Sequence, residues 1–364
     1  MFYFQYSAID TSPLSQYVMH PTWNTVVKYI PKWIAPNLIT FAGFLCMVIA
    51  VLLMFVYDYD FYAAGGRPGL EEYPCEVPSW VFTTCGVLVM LAYNLDGIDG
   101  KQARRLGVSG PLGELFDHGL DSYIVFLIPF SIITIFGRDQ AFSVIITVVL
   151  TFYISHCEKY NTGTLYLPWA YDFSMWVSSL LFIIAGVYGT EVFKIYIIGE
   201  ITFAMVFEVF VHFVAYTIII NYFRSYQNRS GKMYSIPEAV RPVWALFAVT
   251  AAMIVWALNS PGNITEYDPR AFIFLYGTMF SNISSRLIIA EMTHQRCELV
   301  NWMFWPLLAG VGTLIYQPQV ELAVLYTLTP LYLMAHVHYG VCVVRQICDH
   351  FNISCFSVPK DKRK

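Results

Sequence analysis

Four aspartates, a glutamate, a histidine and three basic residues fall inside Asp96–Asp121, the run DGIDGKQARRLGVSGPLGELFDHGLD. The chain around this run is greasy. Of its 364 residues 57 % are hydrophobic and 13 % charged, against roughly 25 % charged in a soluble domain. Charge at membrane depth is costly and marks function by default. A helix running past Asp96 to about Arg105 places Asp96, Asp99, Gly100 and Ala103 on one face, at about 100° per residue. A second helix from about Gly113 does the same for Glu114, Asp117, His118 and Asp121. The Gly/Ser/Pro link Leu106–Leu112 lets the two run antiparallel, so Asp96 and Asp99 meet Asp117 and Asp121.

Four converging carboxylates repel one another, and a cation resolves the repulsion. An all-oxygen donor set favours Mg²⁺, Mn²⁺ or Ca²⁺ over zinc or copper. Four carboxylates suffice for two ions, an arrangement suited to in-line displacement at phosphorus. Gly100, Ala103 and Gly113 allow close approach of a flat group or a phosphate to the backbone. Lys101, Arg104 and Arg105 supply positive charge for phosphates. The imidazole of His118, with an unperturbed pKa of about 6.5, suits proton transfer near neutrality. Glu114, one turn earlier, is placed to orient its ring. Asp121 is the rival base, although a carboxylate that binds a cation is a poor one.

The elements that must hold these groups are membrane helices. Stretches near 38–57, 79–97, 115–136, 140–157, 173–190, 198–222, 242–259, 270–291, 299–316 and 319–344 are long and apolar enough to span, given the need for about 20 residues. The fold class expected is an all-α polytopic bundle of about ten transmembrane helices, preceded by an amphipathic interfacial helix over Thr22–Trp33. Glu200, Glu208 and Arg286 then fall in spans. His336 and His338, two apart in the last span, face different sides of a helix and are expected to serve hydrogen-bonded packing rather than a shared metal. Flanking charge orients the chain. Lys28, Lys32, Lys101, Arg104, Arg105, Lys159, Arg224, Arg229, Lys232, Arg241, Arg296, Arg345 and the Lys360–Lys364 tail share one side. The other side holds Arg67, Arg138, Lys194 and Arg270 with several acids. The expected topology puts both termini and the aspartate run in the cytosol. Eight scattered cysteines without a C-x-x-C pair support neither a zinc site nor a disulfide framework. No basic tract beyond the tail suggests nucleic acid, and the N-terminus lacks the pattern of a cleaved signal peptide.

The spacing D-x2-D-G-x2-A-R-x8-G-x3-D-x3-D is complete in Asp96, Asp99, Gly100, Ala103, Arg104, Gly113, Asp117 and Asp121. It resembles the signature of the CDP-alcohol phosphotransferase family. Ala35–Thr40 is similar to the segment that opens the first spanning helix in the eukaryotic members, and Lys101–Arg105 and Pro111–Gly119 are similar to the aminoalcohol branch. His156–Gly163 and Ala335–Gly340 resemble its ethanolamine-transferring members of selenoprotein type, although their selenocysteine-bearing tail does not occur up to Lys364. The resemblance implies transfer of phosphoethanolamine from CDP-ethanolamine to diacylglycerol, giving phosphatidylethanolamine and CMP. It assigns two Mg²⁺ or Mn²⁺ ions to Asp96, Asp99, Asp117 and Asp121, and the nucleotide pocket to Gly100, Ala103, Arg104 and Gly113. Asn37 and Lys101 are candidates for phosphate or metal contacts. Asn37 has a rival reading as the N-cap of the first span. The implied domain division is 1–36 interfacial, 37–222 catalytic and 223–364 supporting and dimerising. A homodimer in the endoplasmic reticulum or Golgi membrane is expected on the same ground. The alternatives are a choline or dual choline/ethanolamine transferase, a phosphatidyltransferase using CDP-diacylglycerol, and a cation transporter.

Overall fold

The computed structural model describes residues 8–10, 12–64, 77–138, 141–167, 169–227 and 234–362. Arg67, Arg229 and Lys232, used above to orient the chain, lie outside the described residues. A short strand β1 (Ala8–Asp10) leads into a π-helical turn, Ser15–Met19, and α1 (His20–Val26). This helix ends before most of the predicted amphipathic stretch, whose remainder, with Pro31, forms turns. Trp23 explains the shift. Its ring is buried and its Nε1–H donates at 3.1 Å to Oδ1 of Asn94, in the helix Ser79–Leu106, so α1 is fixed by one buried aromatic rather than by an apolar face lying on lipid.

The bundle then runs α2 (Pro36–Tyr57), α3 (Ser79–Leu106), α4 (Pro111–Phe136), α5 (Ala141–Thr162), strand β2 (Leu165–Leu167) and α6 (Ala170–Tyr188). β2 pairs in parallel with β1, Ile9 opposite Tyr166. A hairpin of β3 (Tyr196–Ile198) and β4 (Ile201–Thr202) precedes α7 (Phe203–Gln227). Glu200 therefore sits in the hairpin turn beside Gly199, at φ 57°, and not in a span. The chain continues through α8 (Ile236–Ala239), α9 (Arg241–Leu258), α10 (Ile264–Tyr267), α11 (Pro269–Met292), α12 (Phe304–Thr313) and α13 (Glu321–Phe351).

Among the described residues nine helices are long and apolar enough to cross a membrane. The expected span 299–316 is the difference. Its helix, α12, has 10 residues, about 15 Å at 1.5 Å per residue, half of a hydrocarbon core about 30 Å thick. Before it, Asn301 is buried and donates to Asn282 Oδ1 of α11 at 2.9 Å, while its own Oδ1 accepts from the Met303 amide at 2.9 Å. That side chain caps a turn where the span was expected to continue.

Burial shows which helices hold the centre. In α11, 83 % of the apolar stretch is buried, against 11 % in α7 and 22 % in α13. Helix α11 packs on both α4 and α5, so the segment beyond 222 is interleaved with the motif helices. Arg270, counted above as a flank charge, is buried at the start of α11. Its guanidinium donates to the carbonyls of Tyr59 at 2.6 Å and Asp58 at 2.5 Å. That contact locks the end of α2 opposite the motif to α11.

Candidate active site

Two helices and a tight turn build the site. Helix α3 continues without a break through Asp96 and Asp99 and stops at Gly107, whose φ of 61° and ψ of 39° lie in the left-handed region. The Gly107 and Val108 amides close on the carbonyls of Arg104 and Ala103 at 3.2 and 3.0 Å, satisfying the last turn of the helix. Arg104 and Arg105 in that turn complement the negative end of the dipole. Pro111 then opens α4 at its first position, where its missing N–H is harmless. The two antiparallel helices expected from the spacing are present.

They bring the carboxylates together. Ligand atoms of Asp96, Asp99 and Asp117 lie within 4.8 Å of one another, and so do those of Asp117, His118 and Asp121. Asp117 belongs to both groups, and its Oδ1 is buried with no hydrogen-bond partner. A buried acceptor among like charges fits a cation, and the hard oxygen donors fit Mg²⁺ or Mn²⁺. Three of the other oxygens are held in place. Thr40 of α2 donates its hydroxyl to Asp99 Oδ2, and the Gly100 amide turns to Asp99 Oδ1. Tyr171 of α6 donates to Asp96 Oδ2. The ring of Tyr171 meets Tyr93 edge-on at 5.9 Å, and the Tyr93 hydroxyl donates to buried Asp172 at 2.5 Å.

The basic residues divide. Arg105 spends its guanidinium on the carbonyls of Val27 and Ile30 at 2.6 and 2.7 Å, which ties the turns after α1 to α3. It is therefore a structural clamp rather than a phosphate ligand. Lys101 donates to Asn24 Oδ1 at 2.8 Å, and its side chain and that of Arg104 line the same cavity as the aspartates. A Cβ built on Gly100 would lie 3.4 Å from the Arg104 guanidinium. Gly97 has a separate role, because a Cβ there would come within 2.3 Å of the Trp23 ring.

Two expectations change. Asn37 is not the N-cap of α2: Ala35 holds that position, with φ −68° and ψ 140°. The Asn37 side chain instead donates to the Cys355 carbonyl at 3.0 Å, and its Oδ1 would stand 3.8 Å from a Cβ on Gly113. The chain after α13 thus folds back as a strap over the cavity mouth. Phe356 packs tilted against Phe41 at 5.9 Å and edge-on against Phe116 at 5.5 Å, and Val358 is buried with Ala35 and Leu106. Burial pushes the Cys355 thiol up, so it is a neutral group. Glu114 is the second change. Its carboxylate pairs with the Lys159 ammonium of α5, which also lies 3.4 Å from Glu291 of α11. The carboxylate beside the His118 ring is Asp121, whose Oδ2 is 3.5 Å from His118 Nδ1. Glu114 is turned toward α5 by Lys159 and joins α4, α5 and α11 through one buried cation.

Sequence reasoning had not singled out Thr40, Tyr171, Lys159 or the strap as parts of the site. Thr40 stands one turn after Asn37 on the same face of α2, and that periodicity was a usable signal. Lys159 lay just past the end of an expected span, where a charge reads as a flank. His336 is used in packing, as expected, with Nδ1 3.4 Å from Asn282 Nδ2. Exposed His338 is close to Cys342 instead.

The aspartates stand at one end of a cavity of about 1480 Å³. Its deeper walls are apolar, formed by Ile128 and Ile132 of α4, Val144 and Val148 of α5, and Phe207 and Val214 of α7. An acidic head above an apolar chamber offers adjoining surfaces for a charged group and an apolar one. Comparison with known families agrees. Residues 33–281 match the CDP-alcohol phosphatidyltransferase family, and the chain belongs to it. The chain is 42 % identical over 372 residues to ethanolaminephosphotransferase 1 of Mus musculus and 43 % identical over 377 residues to that of Homo sapiens. Each alignment covers 98 % of this chain and 92 % of the relative. Choline/ethanolaminephosphotransferase 1 of Arabidopsis thaliana is 27 % identical over 390 residues, covering 98 % of this chain and 96 % of that one. The chain is thus a polytopic membrane enzyme of the CDP-alcohol phosphotransferase type.

Proposed function

We propose that this enzyme transfers phosphoethanolamine from CDP-ethanolamine to diacylglycerol, releasing phosphatidylethanolamine and CMP. The observation that carries the reading is a cavity with carboxylates at its head and apolar walls below. Similarity to proteins named ethanolaminephosphotransferase, at higher identity than to those named choline/ethanolaminephosphotransferase, favours the ethanolamine donor.

Asp96, Asp99, Asp117 and Asp121 would hold two Mg²⁺ or Mn²⁺ ions, which when bound neutralise the donor's pyrophosphate and the departing CMP. Thr40 and Tyr171 fix the carboxylates in register before substrate arrives. Gly100, Ala103 and Gly113 leave backbone room for the nucleotide, with Arg104, Lys101 and Asn37 at the phosphate side. His118 accepts the proton of the lipid hydroxyl as its oxygen forms the new bond to the β-phosphorus and the bond to the CMP oxygen breaks. Asp121 beside His118 Nδ1 orients the ring and stabilises the imidazolium.

The aspartate end is proposed to face the cytosol, where a soluble nucleotide arrives, in the endoplasmic reticulum or Golgi membrane. Reactivity of a cysteine introduced in the strap toward impermeant reagent on sealed microsomes tests that orientation. The exposed helices α7 and α13 leave faces suited to a homodimer, which native mass spectrometry from nanodiscs checks. We retain 37–222 as the catalytic body and 223–364 as support, with α11 packed behind α4 and α5 and the strap after α13 contributing to the wall. Purified enzyme given equal CDP-ethanolamine and CDP-choline with diacylglycerol and Mg²⁺ is expected to make mainly phosphatidylethanolamine. Equal use of both donors would establish the dual activity instead.

A further inference from the structure

A second histidine borders the cavity and takes no part in the chemistry described so far. His156 of α5 is 4 % exposed and forms part of the wall shared with Asp117, His118 and Asp121. Its Nδ1 lies 3.2 Å from the Phe152 carbonyl. A carbonyl only accepts, so Nδ1 carries the hydrogen and Nε2 of the neutral ring is left as an acceptor. That Nε2 is buried and has no hydrogen-bond partner. It occupies the edge of the ring away from the backbone of α5. The ring itself cannot turn freely. Phe152 stacks on it at 4.3 Å and 28°, and the His118 ring meets it edge-on at 5.5 Å and 79°.

A buried acceptor without a donor is costly and calls for one. The position says which. On one side of His156 stand the carboxylates and His118. On the other, the same helix continues into the apolar wall at Val148 and Val144. A diacylglycerol carries one hydrogen-bond donor, its free hydroxyl, since its ester oxygens only accept. A positively charged ammonium or a phosphate belongs with the carboxylates and Arg104 instead. We infer that His156 Nε2 receives the hydrogen bond of the acceptor lipid's hydroxyl and holds that oxygen beside His118. This inference rests on the proposed reading of the enzyme as a lipid-acceptor transferase.

Two substitutions separate the nitrogen from the ring. His156→Phe keeps the stack on Phe152 and removes the acceptor. His156→Gln keeps an acceptor and removes the aromatic ring. Kinetics in mixed micelles with dioctanoylglycerol and CDP-ethanolamine, together with the thermal shift produced by dioctanoylglycerol alone, are the readouts. The expected result for His156→Phe is a KM for the lipid raised about tenfold, as for loss of one hydrogen bond, with the donor KM within about twofold and the lipid-induced shift reduced. His156→Gln is expected to recover part of the lipid affinity. Wild-type lipid kinetics in His156→Phe, an equal rise in donor KM, or loss of lipid affinity in His156→Gln alone would each overturn the inference. Loss of folding in His156→Phe with intact kinetics in His156→Gln would support the role of the nitrogen. Loss of folding in both would assign His156 to packing and overturn it. If wild-type protein makes no phospholipid from these substrates, the functional reading fails first, and the lipid-induced thermal shift still decides the binding claim.

Discussion

Asp117 belongs to both ligand groups, so the chemistry is concentrated on one turn of α4, and the residues around that turn are the most informative to change. Removing the imidazole in His118→Ala is expected to lower kcat by about 10²- to 10⁴-fold with donor binding retained. Near-normal turnover would move the base to another group. Lys159→Met leaves Glu114 buried without its ammonium and is expected to cost about 3–5 kcal/mol, read as a lower unfolding temperature in detergent. An unchanged melting temperature would deny the buried pair its structural role. The four aspartates were legible in the sequence because their spacing combines helical phase with a glycine-rich turn. Their partners were not. Thr40 and Tyr171 reach the cluster from α2 and α6, and Lys159 reaches Glu114 from α5. Such contacts depend on how helices cross, which residue spacing along one helix does not encode. Glu114 shows the same limit, since its phase on α4 was right and its partner came from elsewhere.

Between elements, the decisive features are the α3–α4 turn and the strap that follows α13. The turn was readable from Gly107, Gly110 and Pro111, whose backbone preferences fix where α3 stops and α4 starts. The strap was not, because Asn352–Lys362 has no periodic apolar pattern and is held by single contacts, Asn37 on Cys355 and Phe356 between Phe41 and Phe116. Ending the chain after Asn352 is expected to leave the spans folded and raise the KM for the nucleotide donor about 3- to 10-fold, in proportion to one lost polar contact and a wetter pocket. An unchanged donor KM would show that the strap covers the site without forming part of it. Apolar length identified the spans well and failed at 299–316, where Asn301 turns inward to Asn282 and a 10-residue helix results. It failed again at the start of α7, where a β-hairpin takes Ile198–Thr202.

For the whole molecule, composition and hydropathy made the membrane bundle legible, while the central place of α11 was not. That helix carries Ser281, Asn282, Ser284 and Arg286 and was legible only as one span among ten, yet it is the most buried of the spans described. Packing against α4 and α5 makes its polar face internal. The outcome is one cavity in which a charged donor and an apolar acceptor meet at the carboxylate cluster, and the account stands or falls on that meeting. The most direct measurement follows CMP release and phospholipid formation together, in nanodiscs supplied with CDP-ethanolamine and diacylglycerol, with Mg²⁺ or Mn²⁺ and after chelation by EDTA. The account expects CMP and phosphatidylethanolamine in equal amounts with either ion. Both should be lost on chelation and reduced by at least about 10²-fold in Asp117→Asn. Phospholipid formed at an undiminished rate in EDTA, or by the Asp117→Asn protein, would contradict it.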